Sequence, residues 1–216
     1  MNEYLKEQWT ALNQIKEWMD AARIFNHRAL RDEILGYLEF RERLDRFTGH
    51  HFGDYCSRAC FENQMSACCS KDGIVTFWAD HVINAYTSGM GHADELLTVI
   101  GTPTYPDKCI YLGASGCVWR IRPLGCALFL CDGVQKDVFG ADSSLKQAWD
   151  GFCTEAKGYR WPDRVVLFDR LEQVFMAAGC LSPLMYINTS PGLLRVKQRA
   201  GIASIPKKIR VAGELK

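Results

Sequence analysis

Apolar side chains recur every three or four residues along the first 48 residues. One stripe contains Tyr4, Leu5, Trp9, Leu12, Ile15, Trp18 and Met19, and a second contains Ile34, Leu35, Leu38, Leu44 and Phe47. An α-helix completes a turn every 3.6 residues, so this spacing places each stripe on one helical face. We therefore expect residues 1–48 to form a helical segment that packs over the rest of the protein.

The apolar periodicity is lost over residues 49–72, which predicts an irregular segment there. Thr76 is a suitable N-cap for a helix from Phe77 to about Thr87. A second helix is predicted over 93–100, because Gly101 follows it and favours a helix end.

A small hairpin is predicted where two short apolar runs, 109–112 and 117–121, flank the glycine-rich turn 113–116. Pro123 suits the first turn of a helix. Helices are then predicted over 124–130, 141–152 and 162–178. The expected fold is mainly α with a small β-hairpin.

We expect one compact domain built around a cysteine-rich metal core. Its three parts are a helical segment (1–48), the cysteine-rich metal-binding core (49–153), and a C-terminal helix with a basic tail (154–216). The length of 216 residues suits a single domain.

Composition is ordinary for a globular protein, with 48% hydrophobic residues, 24% charged residues and a formal net charge of +1. This balance does not indicate a nucleic-acid or membrane partner. The one marked asymmetry is the stretch 192–216, which carries seven basic residues and one acidic residue. We interpret it as a solvated tail, or alternatively as a dock for an acidic protein partner. Nucleic acid is disfavoured, because no aromatic side chains alternate with these charges.

The N-terminal residues lack an apolar run behind a basic segment, and no stretch is apolar enough to span a bilayer. We therefore expect a cytoplasmic protein. Thiols stay reduced in that compartment. Metal binding consequently explains the ten cysteines better than disulfides do.

Eight of the ten cysteines form two groups of four, and these are the candidate metal ligands. The first group is Cys56, Cys60, Cys68 and Cys69, and the second is Cys109, Cys117, Cys126 and Cys131. Thiolates prefer zinc, copper(I) and iron–sulfur clusters. Four ligands complete either one zinc site or one cuboidal cluster. Cys153 and Cys180 lie outside both groups, and we expect them to be buried structural residues.

No Cys-x2-Cys step occurs in the sequence, which disfavours both a zinc ribbon and a bacterial ferredoxin motif. We therefore favour an iron–sulfur cluster of the 4Fe–4S type, with zinc as the alternative. The spacing leaves open whether the two groups form one centre or two. It also leaves open whether His50 or His51 adds a ligand, although eight thiolates already supply enough.

The cysteines occur in a recognisable order between residues 56 and 131. Cys68 and Cys69 precede Lys-Asp-Gly-Ile-Val-Thr, Cys109 precedes Ile-Tyr-Leu, and Gly116 and Cys117 precede Val-Trp-Arg-Ile-Arg-Pro-Leu-Gly and Cys126. This order resembles the YkgJ-like cysteine-cluster family of zinc- or iron-chelating proteins with eight cysteines. The resemblance implies an iron–sulfur or zinc site on these residues, and some larger relatives resemble lysine N-methylases of flagellin.

The sequence thus predicts a metal-binding protein that uses an iron–sulfur cluster for electron transfer or as part of a modifying enzyme. One alternative is a structural zinc module that binds a protein or nucleic-acid partner. Another is a methyltransferase-like or redox modifying enzyme. No dinucleotide loop, P-loop or nucleophile elbow is present, so the sequence identifies no catalytic residue.

Overall fold

The structure is mainly α-helical with one two-stranded hairpin, which confirms the fold class expected from the sequence. The computed structural model describes residues 3–20, 28–62, 75–102, 108–113 and 116–202. The helices are α1 (Glu3–Asp20), α2 (Arg28–Cys56), α3 (Trp78–Ser88), α4 (Met90–Gly101), α5 (Leu124–Ala127), α6 (Asp132–Ala141), α7 (Ser143–Ala156), α8 (Leu167–Ala177), α9 (Tyr186–Thr189) and α10 (Pro191–Arg199). The strands are β1 (Leu112–Gly113) and β2 (Gly116–Cys117), and a π-helical turn (Ser57–Phe61) follows α2. Among the described helices, none has the length and apolar character needed to cross a membrane.

The larger hydrophobic core lies where α2, α3 and α8 meet. Tyr37 of α2 and Trp78 of α3 are buried in it. The ring of Tyr37 lies 5.9 Å from that of Phe168, and the ring of Trp78 lies 5.2 Å from that of Phe175. Aromatic side chains bury large apolar areas and gain from edge-to-face contact. These two pairs therefore hold α2 and α3 against α8.

A smaller core joins α1, α4 and the hairpin region. It contains Leu12 of α1, Ile100 of α4, and the rings of Tyr111 and Trp119. Ile15, one turn further along α1, belongs to the larger core instead. Helix α1 therefore bridges the two cores along the apolar stripe that its sequence predicts.

Helix α3 begins one residue later than expected, at Trp78. The predicted N-cap, Thr76, donates its hydroxyl hydrogen to Gln8 at 2.9 Å and does not cap the helix. The backbone N–H of Phe77 instead donates to the Asp80 carboxylate at 3.0 Å. A carboxylate in the first turn satisfies a backbone donor that the helix itself leaves unpaired. Asp80, and not Thr76, therefore provides the side-chain hydrogen bond at the start of α3.

Helix α2 continues well past residue 48, and this corrects the irregular segment predicted from residue 49. It extends to Cys56, and the π-helical turn carries regular structure on to Phe61. Phe52 explains the continuation, since its buried ring lies 5.7 Å from Phe139 and 5.8 Å from Trp149. Tertiary packing thus outweighs the weak helical preference of the glycine and histidine residues around it.

The hairpin is shorter than its apolar runs suggest, with two residues in each strand. Leu112 pairs with Cys117 and Gly113 pairs with Gly116 in antiparallel register. Gly116 has a φ of 112°, a conformation that a residue with a side chain rarely adopts. The apolar pattern of the sequence also does not predict helix α6.

A buried ion pair ties α8 to α10. Lys197 donates to Asp169 at 2.6 Å, and both side chains are almost completely buried. The same ammonium group donates to the carbonyl of Arg164 at 2.7 Å. A buried charge is stable only with such partners. Lys197 therefore belongs to the interior, although the sequence counted it in the basic tail. The residues from 203 onward lie outside the described part of the chain.

Glu172 of α8 caps the short helix α9 from within the protein. Its carboxyl oxygens accept hydrogen bonds from the backbone N–H groups of Tyr186 at 3.1 Å and Ile187 at 2.9 Å. The side chain is fully buried, and burial raises its pKa to about 8 despite these two bonds.

This pKa predicts that the protein loses stability as the pH rises from about 6.5 to 8. In that window folded Glu172 still binds its proton, whereas in the unfolded chain it has already lost it. Burial also raises the pKa of Asp80, to about 6, and lowers that of His81 to about 3. Both groups are deprotonated in the folded protein throughout the window, and only unfolded His81, with its ordinary pKa of 6.5, still releases a proton near the lower end, where it offsets part of the slope. We expect the free energy of unfolding to fall by about 1 kcal/mol per pH unit, measured by urea denaturation.

Glu172→Gln should remove most of this pH dependence, because glutamine does not titrate. Glu155→Gln is the matched control, since Glu155 pairs with Arg43 at the surface. An unchanged slope in Glu172→Gln would contradict the assignment.

Candidate metal centre

The first predicted ligand group is described in part. Cys56 is the last residue of α2, is half-buried, and packs against the larger core. Cys60 lies in the π-helical turn, and its side chain is outside the described atoms. Cys68 and Cys69 fall in the segment 63–74, outside the described residues.

The second group is described completely. Cys109 is buried in the smaller core, and its sulfur accepts a hydrogen bond from the backbone N–H of Tyr111 at 3.4 Å. Cys117 is in β2, and Cys126 is half-buried in α5. Cys131 is the N-cap residue of α6 and packs against the larger core.

Three cysteines of the second group act electrostatically on the phenol of Tyr111. Burial raises the pKa of Tyr111 well above its usual value, and the charges of Cys109, Cys117 and Cys126 raise it further. Burial also raises the pKa of Tyr4, and the charges of Cys109 and Cys126 raise it further. Charges act strongly only over short distances in a protein interior. Cys109 and Cys126 therefore both lie within electrostatic range of the hydroxyl groups of Tyr4 and Tyr111.

Three of the predicted ligands with described side chains are divided between the two hydrophobic cores. Cys56 and Cys131 pack against the larger core, whereas Cys109 belongs to the smaller one. In the ranges that the structure describes, no three histidine, cysteine or acidic side chains are grouped closely enough to hold a metal ion.

The pKa of the Cys117 thiol is raised overall, because burial outweighs two influences that favour the thiolate. Burial raises the pKa of this thiol, although part of the residue is exposed to solvent. The backbone N–H of Trp119 and the guanidinium of Arg122 both lower it. Arg122 also donates to Asp45 at 3.1 Å. It therefore forms the surface ion pair that is the ordinary role of such an arginine, while its charge acts on a candidate ligand.

A buried polar network borders these cysteines. The side-chain oxygen of Gln8 accepts hydrogen bonds from Thr76 at 2.9 Å and from Tyr111 at 2.7 Å. It also lies 3.0 Å from Nε2 of His81. An amide oxygen can only accept, so Nε2 of His81 carries the proton. Burial lowers the pKa of His81 to about 3, which keeps the ring neutral.

Several buried polar atoms of this network lack a partner among the described residues. They are the hydroxyl of Tyr4, Nε2 of Gln8, Nδ1 of His81 and the indole nitrogen of Trp119. Buried donors and acceptors are nearly always hydrogen-bonded in folded proteins. Three of these atoms, the hydroxyl of Tyr4, Nε2 of Gln8 and the indole N–H of Trp119, are donors that a group bound in this region would find.

The first described residue after the segment 63–74 lies near the second ligand group. Val75 is the first described residue after the segment 63–74. Its carbonyl oxygen lies 3.6 Å from the position that a Cβ atom on Gly125 would occupy. Gly125 directly precedes Cys126, so the chain emerges from that segment beside a ligand of the second group.

Sequence reasoning missed Gln8, which is the centre of this network. One signal was available: Gln8 is three residues after Leu5 and four before Leu12, and so falls on the apolar face of α1. His81, which also belongs to the network, contacts Gln8 across 73 residues of sequence. His50 and His51 lie on α2 with their rings 4.6 Å apart.

Comparison with known proteins gave no relatives. No protein-family model, no curated protein and no solved structure matches this chain. The resemblance to the eight-cysteine family therefore stays a prediction from the order of the cysteines.

The network predicts that Gln8→Ala is strongly destabilising. The substitution leaves the hydroxyls of Thr76 and Tyr111 and Nε2 of His81 without an acceptor, at about 1–3 kcal/mol for each buried group. We expect a loss of about 3–5 kcal/mol in the free energy of unfolding, measured by urea denaturation. Gln14→Ala on the same helix is the control: Gln14 donates one hydrogen bond to Leu181, and its loss should cost about 1 kcal/mol. Equal losses in the two variants would contradict the central role of Gln8.

Proposed function

We propose that this protein holds a thiolate-ligated metal centre, a 4Fe–4S cluster in preference to zinc, and that it serves electron transfer or forms part of a modifying enzyme. The candidate ligands are the eight cysteines of the two groups, Cys56, Cys60, Cys68, Cys69, Cys109, Cys117, Cys126 and Cys131. The observation that carries the proposal is that Cys109, Cys117 and Cys126 all act electrostatically on Tyr111, in a region where buried polar atoms lack partners among the described residues.

The donor set fits such a group chemically. Thiolates are soft ligands, and iron–sulfur clusters are held by them. The backbone N–H of Tyr111 already donates to the sulfur of Cys109. The hydroxyl of Tyr4 is a further buried donor near Cys109 and Cys126. When bound, a 4Fe–4S cluster supplies one-electron chemistry, and the surrounding donors tune its potential.

The absence of Cys-x2-Cys steps argues against a zinc knuckle, and it also argues against a bacterial ferredoxin motif, so the metal content of the purified protein decides between cluster and zinc. The proposal includes a cytoplasmic location, where the reducing environment keeps the thiols available as ligands. It assigns no role to the C-terminal basic residues, since a solvated tail and a dock for an acidic protein are equally compatible with it.

The direct test is the metal content of the protein after anaerobic purification. We expect iron and acid-labile sulfide in equal amounts, with a visible absorption band. Cys117→Ser and Cys126→Ser should each remove the cluster, because every ligand of a thiolate site contributes to its affinity. Cys153→Ser is the matched control, since this half-buried cysteine lies outside both groups. Colourless protein with one zinc ion would support a structural zinc module instead, and metal-free protein would contradict both assignments.

Cys60→Ser, compared with Cys117→Ser, distinguishes one centre from two. Loss of all the metal in each variant indicates a shared centre, and loss of half in each indicates two centres.

Tyr4→Phe tests the proposed donor at the cluster. The variant should keep its iron, because it removes no ligand. Its reduction potential should become more negative, since a donor near the sulfurs stabilises the reduced, more negatively charged form. Redox titration of both proteins measures the shift. The same potential in both would mean that the Tyr4 hydroxyl does not interact with the cluster.

A further inference from the structure

A cavity of about 350 Å³ lies beside the loop that follows α7, and none of the candidate metal ligands that the structure describes lines it. Its wall is largely apolar and aromatic, and includes Phe77, Leu128, Trp161, Tyr186 and Leu193. Cavities of this size are typical of sites for small organic molecules. The volume holds about twelve non-hydrogen atoms at roughly 30 Å³ each, the volume of a water molecule in the liquid.

Two cationic side chains stand against aromatic rings of this wall. The ammonium group of Lys157 lies 4.7 Å from the centre of the Trp161 ring. The guanidinium carbon of Arg160 lies 4.0 Å from the centre of the Phe77 ring. Neither cation forms an ion pair with a carboxylate in the described ranges. The rings hold both charges at the cavity while leaving their hydrogen-bond donors available.

Arg160 is only partly compensated by its surroundings. Burial lowers the pKa of its guanidinium, while the charge of Asp80 acts in the opposite direction. The carboxylate oxygens of Asp80 already accept hydrogen bonds from the backbone N–H groups of Phe77 and Leu124. An anion in the cavity would supply the missing partner.

The third cation of the wall, Lys197, is already occupied. Its ammonium group donates to Asp169 and to the carbonyls of Trp161 and Arg164. The hydroxyl of Tyr186 also donates to Asp169. These bonds fix the base of the cavity and leave the recognition of charge to Lys157 and Arg160.

We propose that this cavity binds a small aromatic anion, whose ring system packs against Trp161 and Leu193 and whose acidic group pairs with Lys157 and Arg160. The two cations favour an anion over a neutral molecule, and the aromatic wall favours a flat apolar body. Arginine can contact a carboxylate with two parallel hydrogen bonds, which a lysine cannot do. The site is independent of the proposed metal centre.

The test uses 2-naphthoate, whose size is close to the capacity of the cavity, and its neutral counterpart 2-naphthamide. Binding to the full-length protein is followed by ligand-observed NMR at up to about 1 mM, the affinity range of molecules this small. We expect 2-naphthoate to bind at least tenfold more tightly than the amide. Arg160→Gln and Lys157→Gln should each weaken its binding by about tenfold and leave the weak binding of the amide unchanged.

Two further variants separate cavity binding from other causes. Leu193→Trp fills the cavity and should abolish the binding of 2-naphthoate while the protein keeps its helical circular dichroism. Lys136→Gln on α6 removes an exposed cation that does not line the cavity, and should bind 2-naphthoate like the natural protein. Equal binding of the acid and the amide, no binding of the acid, or full binding to folded Leu193→Trp would each overturn the proposal.

Discussion

The structure depends on how helix α3 satisfies its buried polar groups. Trp78, Asp80, His81, Val82 and Asn84 are all 3% exposed or less, so this helix has no solvated face over its first two turns. A buried polar group without a hydrogen bond is costly, and each polar side chain of α3 must therefore find a fixed partner. Asp80 accepts from the backbone N–H of Leu124 at 2.9 Å, as well as from that of Phe77. The position of α5 follows from this requirement.

Asn84 extends the same constraint by one turn of helix. Its side-chain oxygen accepts from the backbone N–H of Ile121 at 3.0 Å. The chain between the hairpin and α5 is thereby fixed to α3 at two points, Ile121 and Leu124. Cys117 and Cys126 lie on either side of this attachment, so α3 determines where both candidate ligands stand. Leu124 and Phe77, which are held by the same carboxylate, also line the cavity.

The sequence predicts those parts of the fold that depend on local periodicity. The stripe on α1 and the apolar spacing of α2 follow from helical geometry, and both helices form. The end of α2 could not be predicted in this way. Its continuation depends on Phe52 meeting Phe139 and Trp149, two residues far away in the sequence. The predicted N-cap of α3 was wrong for a similar reason, because the hydroxyl of Thr76 donates a hydrogen bond to Gln8 of a distant helix.

The candidate sites divide along the same line. The cysteines could be proposed as ligands because their residue type alone carries the chemistry. The cavity could not be predicted from the sequence. Lysine and arginine are common at surfaces, and their proposed role here depends on the aromatic rings that they contact in the fold. Lys157 and Arg160 come from the end of α7, whereas the ring under Arg160 belongs to Phe77, before α3. The single carboxylate of Asp80 brings these segments together.

Charge is unevenly distributed around α5, and this connects the two proposed sites physically. Asp80 lies within electrostatic range of both Arg41 and Arg160. Arg41 is 1% exposed. It donates to the hydroxyl of Tyr37 at 2.9 Å and to the carbonyl of Arg122 at 2.6 Å. Its Nε and its second terminal nitrogen have no hydrogen-bond partner among the described residues. Asp45 lies 3.8 Å from Arg41 and 3.1 Å from Arg122. In this region two carboxylates face three guanidinium groups, so the surplus is positive. Thiolates and an organic anion bound near α5 would both be attracted by that surplus. The same imbalance therefore supports both proposals through charge, although each rests on its own contacts.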